Sequence, residues 1–566
     1  MKPIYLFYDE RMKLHFDQRS KRNGNEEESH YQHIVDHLDN KTNDDDDTAP
    51  IGGGGGDDGD DGEGNTTNTN SSSNYPPELL TEVEDDNNDE NDDDDDDESL
   101  TVENPKRITF IYNRLNQLEQ TYLKTTHSDS HHEKMFIRLP CILATKETIT
   151  LAHSLRYYDK VKQTQLMSLK ELQSFPTIDF TNSNNDEENE VKDDEDMYFC
   201  KDTFTAALAA CGGVVEAVNR VTAFPSTTTD SARALALVRP PGHHACAEKA
   251  MGFCFFNSVV VAAKHAIHTK RAKRVLILDW DIHHGNGSQE LTYDDGNIFY
   301  ISLHRYTKGT SRMEPFFPGT GLPSEVGLKD TSAHGMNLNI AWRSGGMGNN
   351  EYAAAFSELI LPILSQFSPD LVLISCGLDA AAGDLLGDCL LTPRMYYVMM
   401  RSLMTTVGLD TPIVVALEGG YNLEVISYCM EAVALALLDL EYQGKREVEH
   451  KPMPQDRPMN QSASNTNDSN DQISSDSERL LRLDKGRELL NQFWDYRDKN
   501  NQLINASAVR DINSSIDAIK DTRWNNDKIL SLNPRRSKRI TTRSHSRIQT
   551  DIETQDVSDL LESLKI

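Results

Sequence analysis

Five short apolar runs punctuate the chain, at 234–238, 275–279, 298–303, 371–376 and 412–418. They are rich in Val, Ile, Leu and Ala and do not alternate with polar residues. That is the pattern of strands buried on both faces of a parallel sheet. Between them lie stretches with apolar residues at helical spacing, such as 257–268, 351–366 and 393–407. The alternation predicts an α/β architecture, a central parallel sheet with helices on both faces. Upstream, 4–8 reads as a first strand, and Ile108, Ile111, Leu115, Leu118 and Tyr122 mark one face of an amphipathic helix. Helical patterns follow up to about Leu172 and over 204–221, the latter with Gly212-Gly213 inside it for close packing. After about Gln443 the chain turns polar, and one more amphipathic helix carries Leu480, Leu483, Leu490 and Trp494. The pattern divides the chain into a domain at 1–445 interrupted by an insert over 17–98, a linker at 446–475, an accessory helix at 476–498, and a polar, partly basic tail at 499–566 expected to be disordered.

Charge changes this picture in two places. The 566 residues carry a formal net charge of -34, unevenly spread. Between Glu82 and Glu98 stand thirteen acids and no Lys or Arg, and a second acidic loop covers 182–196. Such stretches bury no core and read as solvated spacers or as docking surfaces for a basic partner. The acidic balance argues against direct nucleic-acid binding by the domain itself. The basic cluster Pro534 to Arg539, extended by Arg543 and Arg547, fits a nuclear-import signal. The eight cysteines form no C-x-x-C pair, the opening does not read as a secretory leader, and no apolar run approaches the roughly 18 residues of a membrane span. The expectation is a reduced, soluble, intracellular protein with no membrane contact.

The chemistry gathers where strands end. The run at 275–279 leads into Asp279, Asp281, His283 and His284, then Gly285 and Gly287. Open α/β sheets place their active sites at such carboxyl ends. Asp281 and His283 alternate along an extended segment, so their side chains point the same way and are able to share one metal ion. Other strand ends bear His243-His244, Asp379 and Tyr421. Asp281, His283 and Asp379 would leave a metal position open for water, as in catalytic zinc sites, although two carboxylates and one imidazole also suit iron(II). The histidine pair offers a general base and acid. Asp279 and Asn286 are candidates to fix the two imidazoles, and an Asp partner favours imidazolium where an Asn does not. Tyr421 is placed to donate its O–H to a developing oxyanion. This is equipment for metal-assisted amide hydrolysis.

The strings YDERM at 8–12, ENPKRI at 103–108, RPPGHHA at 239–245, GFCFFNSV at 252–259, LDWDIHHGNG at 278–287, SLHRY at 302–306, GLDAAAGD at 377–384 and LEGGYNL at 417–423 occur in this order. They resemble the zinc-dependent histone deacetylases, and more closely the class II, fungal-type branch. The resemblance implies an arginase-like three-layer α/β/α fold with zinc on Asp281, His283 and Asp379. It implies His244 as general base and acid, His243 as its electrostatic partner held by Asp279, and Asn286 behind His244. Tyr421 would polarise the acetyl carbonyl. Phe253 and Phe317 would wall a channel for the acetyl-lysine stem, with Gly252 at its floor and Asp202 at its rim. A potassium ion is expected near Asp279, Asp281 and Ser302. Leu386 stands at the gatekeeper position, where relatives acting on acetylpolyamines carry an acid. Leu378 and Leu385 depart from the Phe and Pro common in class II. The resemblance implies removal of acetyl groups from lysines of histone tails, work alongside corepressor subunits, and a nuclear location with the cytoplasm also open. A catalytically silent scaffold and an acetylpolyamine amidohydrolase are the other readings of the same residues.

Overall fold

The computed structural model describes residues 2–17, 101–125, 134–173, 178, 197–223, 232–309, 314–442, 475–494, 506–520 and 522–524. Apart from Asp17 and Ser475, the acidic insert, the 182–196 loop, the 446–475 linker and the basic cluster at 534–539 lie outside these residues.

Eight strands form one sheet: β1 (Ile4–Phe7), β2 (Phe136–Leu139), β3 (Arg233–Ala236), β4 (Val275–Asp279), β5 (Ile298–Arg305), β6 (Asn337–Trp342), β7 (Leu371–Cys376) and β8 (Ile413–Leu417). Their spatial order is β2-β1-β3-β8-β7-β4-β5-β6, and every pairing is parallel. Strands β4, β7 and β8 are buried along their whole length, which explains the absence of alternation in their sequences.

Helices cover the sheet in two groups. Helices α2 (Thr203–Val221) and α3 (Ser258–His268) pack on each other, α2 reaching β1, β3 and β8 and α3 reaching β4 and β7. Helices α1 (Lys106–Thr125), α5 (Pro393–Val407), α6 (Leu423–Leu437) and α7 (Ser475–Trp494) form the second group, with α5 against both α6 and α7. A short helix, α4 (Asn286–Thr292), opens at the end of the motif that follows β4. By length and apolarity α2 would suffice to cross a membrane, contrary to the expectation that no run comes close, but it is mostly buried within the fold.

The structure differs from the sequence reading in four elements. Strands β2 and β6 carry no clean apolar run. Arg138 interrupts β2, and Asn337 and Asn339 interrupt β6. Both asparagines are buried, and their amides donate to Gln289 Oε1 at 2.9 and 2.7 Å. Helix 351–366 is three pieces, Asn349–Ala355, a π turn at Phe356–Ile360, and Leu361–Phe367. Buried Arg487 of α7 donates to the carbonyl of Ser357 within that turn at 2.9 Å. Finally, the tail expected to be disordered from 499 contains helix α8 (Ala506–Ile519), packed along β6. Buried Ile512, Ile519 and Trp524 anchor it, and the Trp524 ring stacks on Phe299 at 5.3 Å. An edge strand with open N–H and C=O groups is a hazard, and α8 covers this one.

Candidate active site

The four central strands end in step. Ala236 of β3 pairs with Ala416 of β8, Leu417 with Cys376 of β7, and Ser375 with Asp279 of β4. The segments that follow, 237–244, 418–421, 377–379 and 280–284, therefore leave the sheet at one edge. The sequence places its unusual polar residues on these four segments, and the register brings them together.

Asp281, His283 and Asp379 are buried, and one ligand atom from each lies within 4.8 Å of the others. Among the described residues this is the group of His, Cys, Asp or Glu that converges in this way. Two glycines make the room. A Cβ on Gly377 would collide with Asp281 Oδ2, and one on Gly419 with Asp379 Oδ2. The Gly419 N–H donates to Asp281 Oδ2 at 2.9 Å, and the Ile282 N–H to Asp379 Oδ1 at 2.9 Å. Burial pushes Asp379 up to about 7, aided by repulsion from Asp281. Burial would also raise Asp281, but His243 and His283 hold it well below the carboxylate range. Burial disfavours charge on His283, yet hydrogen bonds and attraction from Asp281 and Asp379 raise it to about 10. A buried nest of oxygen and nitrogen donors that draws positive charge this strongly fits a metal ion, and the set suits zinc.

The histidines differ in their partners. His243 Nδ1 donates to Asp279 Oδ2 at 3.1 Å, and Tyr300 O–H donates to the same oxygen at 2.9 Å. His244 Nδ1 donates to Asn286 Oδ1 at 2.9 Å, which leaves Nε2 as its basic nitrogen. Burial lowers His243, but Asp281 and Asp279 overcome it and lift the ring to about 10. His244 is driven well below its ordinary value, by burial first and then by His243 and His283. The rings lie 4.0 Å apart. His284 is engaged elsewhere than Asp281, His283 and Asp379: Nδ1 meets Thr320 Oγ1 at 2.7 Å and Nε2 meets Gln289 Oε1 at 3.1 Å.

The segment Glu418 to Tyr421 touches every part of the site, and sequence reasoning gave its tyrosine a role but assigned none to the Glu418 carboxylate. Glu418 Oε2 accepts the N–H of Gly242 at 2.7 Å and of His243 at 3.2 Å, steadying the histidine loop. Arg107 donates to the carbonyls of Glu418 and Gly420, the latter at 2.7 Å, and lies over the Tyr421 ring at 5.1 Å. Glu103 holds that arginine at 3.1 Å and also accepts from Arg239, at 2.9 Å on Oε1 and 2.7 Å on Oε2. Tyr198 donates to Glu103 Oε2 at 2.7 Å. Glu103, Arg107 and Arg239 are wholly buried. Tyr421 is 8% exposed, and burial keeps its hydroxyl protonated and able to donate.

Aromatic residues flank the pair of histidines. The Phe317 ring meets His244 edge-on at 5.0 Å, Phe253 lies 5.9 Å from Tyr421, and a Cβ on Gly252 would press into the His244 ring. Phe316, which the sequence left unassigned, stacks flat on His283 at 5.1 Å with Arg305 over its other face at 4.5 Å. Leu386 is 39% exposed. Asp202 sits at the start of α2, whereas Tyr198, four residues earlier, packs with Phe253 and Tyr421. Ser302 pairs in register with Asp279 and bonds His304 Nδ1 at 2.8 Å.

Residues 101–437 match the histone deacetylase domain family. The chain is 38% identical over 340 residues to histone deacetylase clr3 of Schizosaccharomyces pombe, 60% of this chain and 45% of that one. It is 36% identical to histone deacetylase HDA1 of Saccharomyces cerevisiae, over 59% of this chain and 44% of that one. It is 41% identical to histone deacetylase 6 of Caenorhabditis elegans, over 56% of this chain and 30% of that one. The chain thus spans less than half the length of these relatives. A crystal structure of the HDA15 HD domain is 30% identical, covers 72% of this chain and 93% of that domain, and superposes with a TM-score of 0.49. With the family match running over more than half of its length and the parallel sheet carrying the matched motifs to one edge, this chain belongs to the histone deacetylase family, on its class II side.

Proposed function

We propose that the chain is a zinc-dependent hydrolase that removes acetyl groups from N6-acetyl-lysine in histone tails. The observation that carries the reading is the buried triad Asp281, His283 and Asp379 beside a histidine pair with unlike partners and a protonated tyrosine. Bound zinc would polarise the acetyl carbonyl and activate water for attack. His244 Nε2 takes the proton that the water gives up and delivers it to the departing lysine nitrogen. His243, charged against Asp279, keeps His244 neutral until that step. Tyr421 donates to the carbonyl oxygen as negative charge gathers there. Phe253 and Phe317, with side-chain-free Gly252, leave a narrow path for an apolar stem.

A potassium ion fits beside β4 and β5. His304 Nε2 donates to the Gly321 carbonyl at 2.9 Å, so its Nδ1 accepts from Ser302, whose oxygen would serve a cation next to Asp279 and Asp281. Leu386 offers no charge for a polyamine, which favours acetyl-lysine. Asp202 at the rim, recruitment by corepressor subunits, and nuclear action through the 534–539 cluster complete the proposal. The acidic stretches would concentrate basic tails at low salt. The test is acetate release from an acetylated histone-tail peptide, with acetylspermidine beside it. Wild type is expected to act on the peptide, and Tyr421→Phe to lose orders of magnitude. No release by zinc-loaded wild type would sink the reading.

A further inference from the structure

Leu385 and Leu386 stand 63% and 39% exposed, so the loop that carries them is held chiefly through its backbone. The Asp384 carboxylate ties the start of that loop, while Arg305 and the Gly346 N–H hold Gly387 and Asp388 at its end. Asp384 Oδ1 accepts the N–H of Leu386 at 2.9 Å and of Gly387 at 3.3 Å. Its Oδ2 reaches a different segment and accepts the N–H of Tyr421 at 2.7 Å. Two further ties run in parallel, Asn422 Nδ2 to the Gly383 carbonyl at 2.9 Å and the Leu378 N–H to the Gly419 carbonyl at 3.0 Å. On its other side Tyr421 is gripped by Arg107, through the Gly420 carbonyl and the ring face. The tyrosine therefore sits between a fixed buried arginine and a link to an exposed loop.

We infer that Asp384 is a positioning residue that couples the Leu385–Leu386 loop to Tyr421, so that a peptide backbone resting on the loop sets where the tyrosine hydroxyl lies. The inference rests on the deacetylase reading above. Only a carboxylate accepts on both oxygens at once. An asparagine at 384 keeps the volume but points its amide donor at one of the two sets of N–H groups, so one arm of the link opens whichever way it turns. A displacement of about 1 Å at a reacting group costs on the order of 100-fold in rate.

Asp384→Asn is therefore expected to lower kcat on an acetylated peptide by about 10- to 100-fold, with KM changed less than about threefold. Melting temperature and bound zinc per chain should stay at wild-type values, which separates this loss from misfolding. In the Tyr421→Phe background the same substitution should have little further effect, since its target is gone. The kcat advantage of the peptide over an acetyl-lysine amide without flanking residues should also shrink. Full loss in both backgrounds, or an unchanged peptide advantage, would overturn the coupling. A wild type silent on peptide would remove the deacetylase reading, and hydrogen exchange then decides the link alone. Either the Tyr421 amide or the Leu386 and Gly387 amides are expected to exchange at least about tenfold faster in Asp384→Asn, because the bond on one arm is lost, and unchanged rates at all three would overturn it.

Discussion

Replacing Glu103 by Gln tests the buried network under the site. The carboxylate is fully enclosed and receives four hydrogen bonds: two from Arg239, one from Arg107 and one from Tyr198. Gln keeps the shape but removes the only formal negative charge that contacts both arginines in this cluster, leaving two guanidinium groups in the interior. Removing one partner of a buried ion pair costs about 3–5 kcal/mol. With two cations left uncompensated, the upper end applies, and the melting midpoint should fall by roughly 10 °C. The pH dependence supplies an internal check. Burial alone would raise Glu103, but Arg239 and Arg107 hold it well below its ordinary value of 4.5. Its contribution is thus fully present above 4.5 and fades as pH drops below that value toward the folded-state value. Urea denaturation at pH 7 and at pH 3.5 should show a gap between wild type and variant that narrows in acid. A gap under about 1 kcal/mol at pH 7, or one that does not change with pH, would refute the reasoning. Because Arg107 also grips the Glu418 and Gly420 carbonyls, the variant should lose activity even well below its melting temperature.

Gly377→Ala puts a methyl group against Asp281 Oδ2; the protein should fold with reduced zinc content by metal analysis, and full zinc occupancy would contradict the crowding argument. His153 is neutral in the core, donating from Nδ1 to the Cys246 carbonyl at 2.9 Å and accepting the Asn257 N–H on Nε2 at 2.9 Å. Burial lowers it to about 4 from 6.5, so stability is full above 6.5 and falls with acid, by about 2 kcal/mol between pH 7 and 5. Denaturant titrations should show that His153→Gln lacks this part of the slope, and an unchanged slope would count against it. Trp524→Ala should cost about 3–5 kcal/mol, and a chain ending at 500 should aggregate through the bared β6 edge, as light scattering would show; a monodisperse, equally stable truncation would mean that α8 is dispensable.

Much of the fold and the convergence of Asp281, His283 and Asp379 was legible because buried parallel strands are written as unbroken apolar runs, and the polar residues at their ends stand out against them. Strand β6 escaped notice because Asn337 and Asn339 are buried by virtue of a distant glutamine, which no local pattern announces. Helix α8 left a trace, Ala508, Ile512, Ile516 and Ile519 at helical spacing, diluted by Ser, Asn and Asp. The network of Glu103, Arg107, Arg239 and Tyr198 was invisible for a different reason. Charged residues in loops, such as Glu103 and Arg239, or in a first helical turn, such as Arg107, read as solvated, and only tertiary closure makes them partners. Tyr198, packed with Phe253 and Tyr421, and Phe316, stacked on His283, were not singled out because neither stands in a motif that names its neighbour.

The loop at 384–388 has one more property. Its attachments run through the Asp384 carboxylate, backbone N–H groups, the Gly387 carbonyl, which Arg305 meets at 3.5 Å, and Asp388, whose carboxylate pairs with Arg305 at 3.3 Å and whose carbonyl accepts the Gly346 N–H at 2.7 Å. None of them uses the side chains of Leu385 or Leu386. Residues at those two places are thus free to be exchanged without slackening the frame, while Glu418 to Tyr421 has no such freedom. In a mutational library selected for new acyl substrates, variants should accumulate at the two leucines and be purged at the neighbouring strand end, Glu418 to Tyr421. On the reading proposed above, what the loop would recognise is then separate from how the site would react, and related chains would have room to change substrate while keeping the segment after β8.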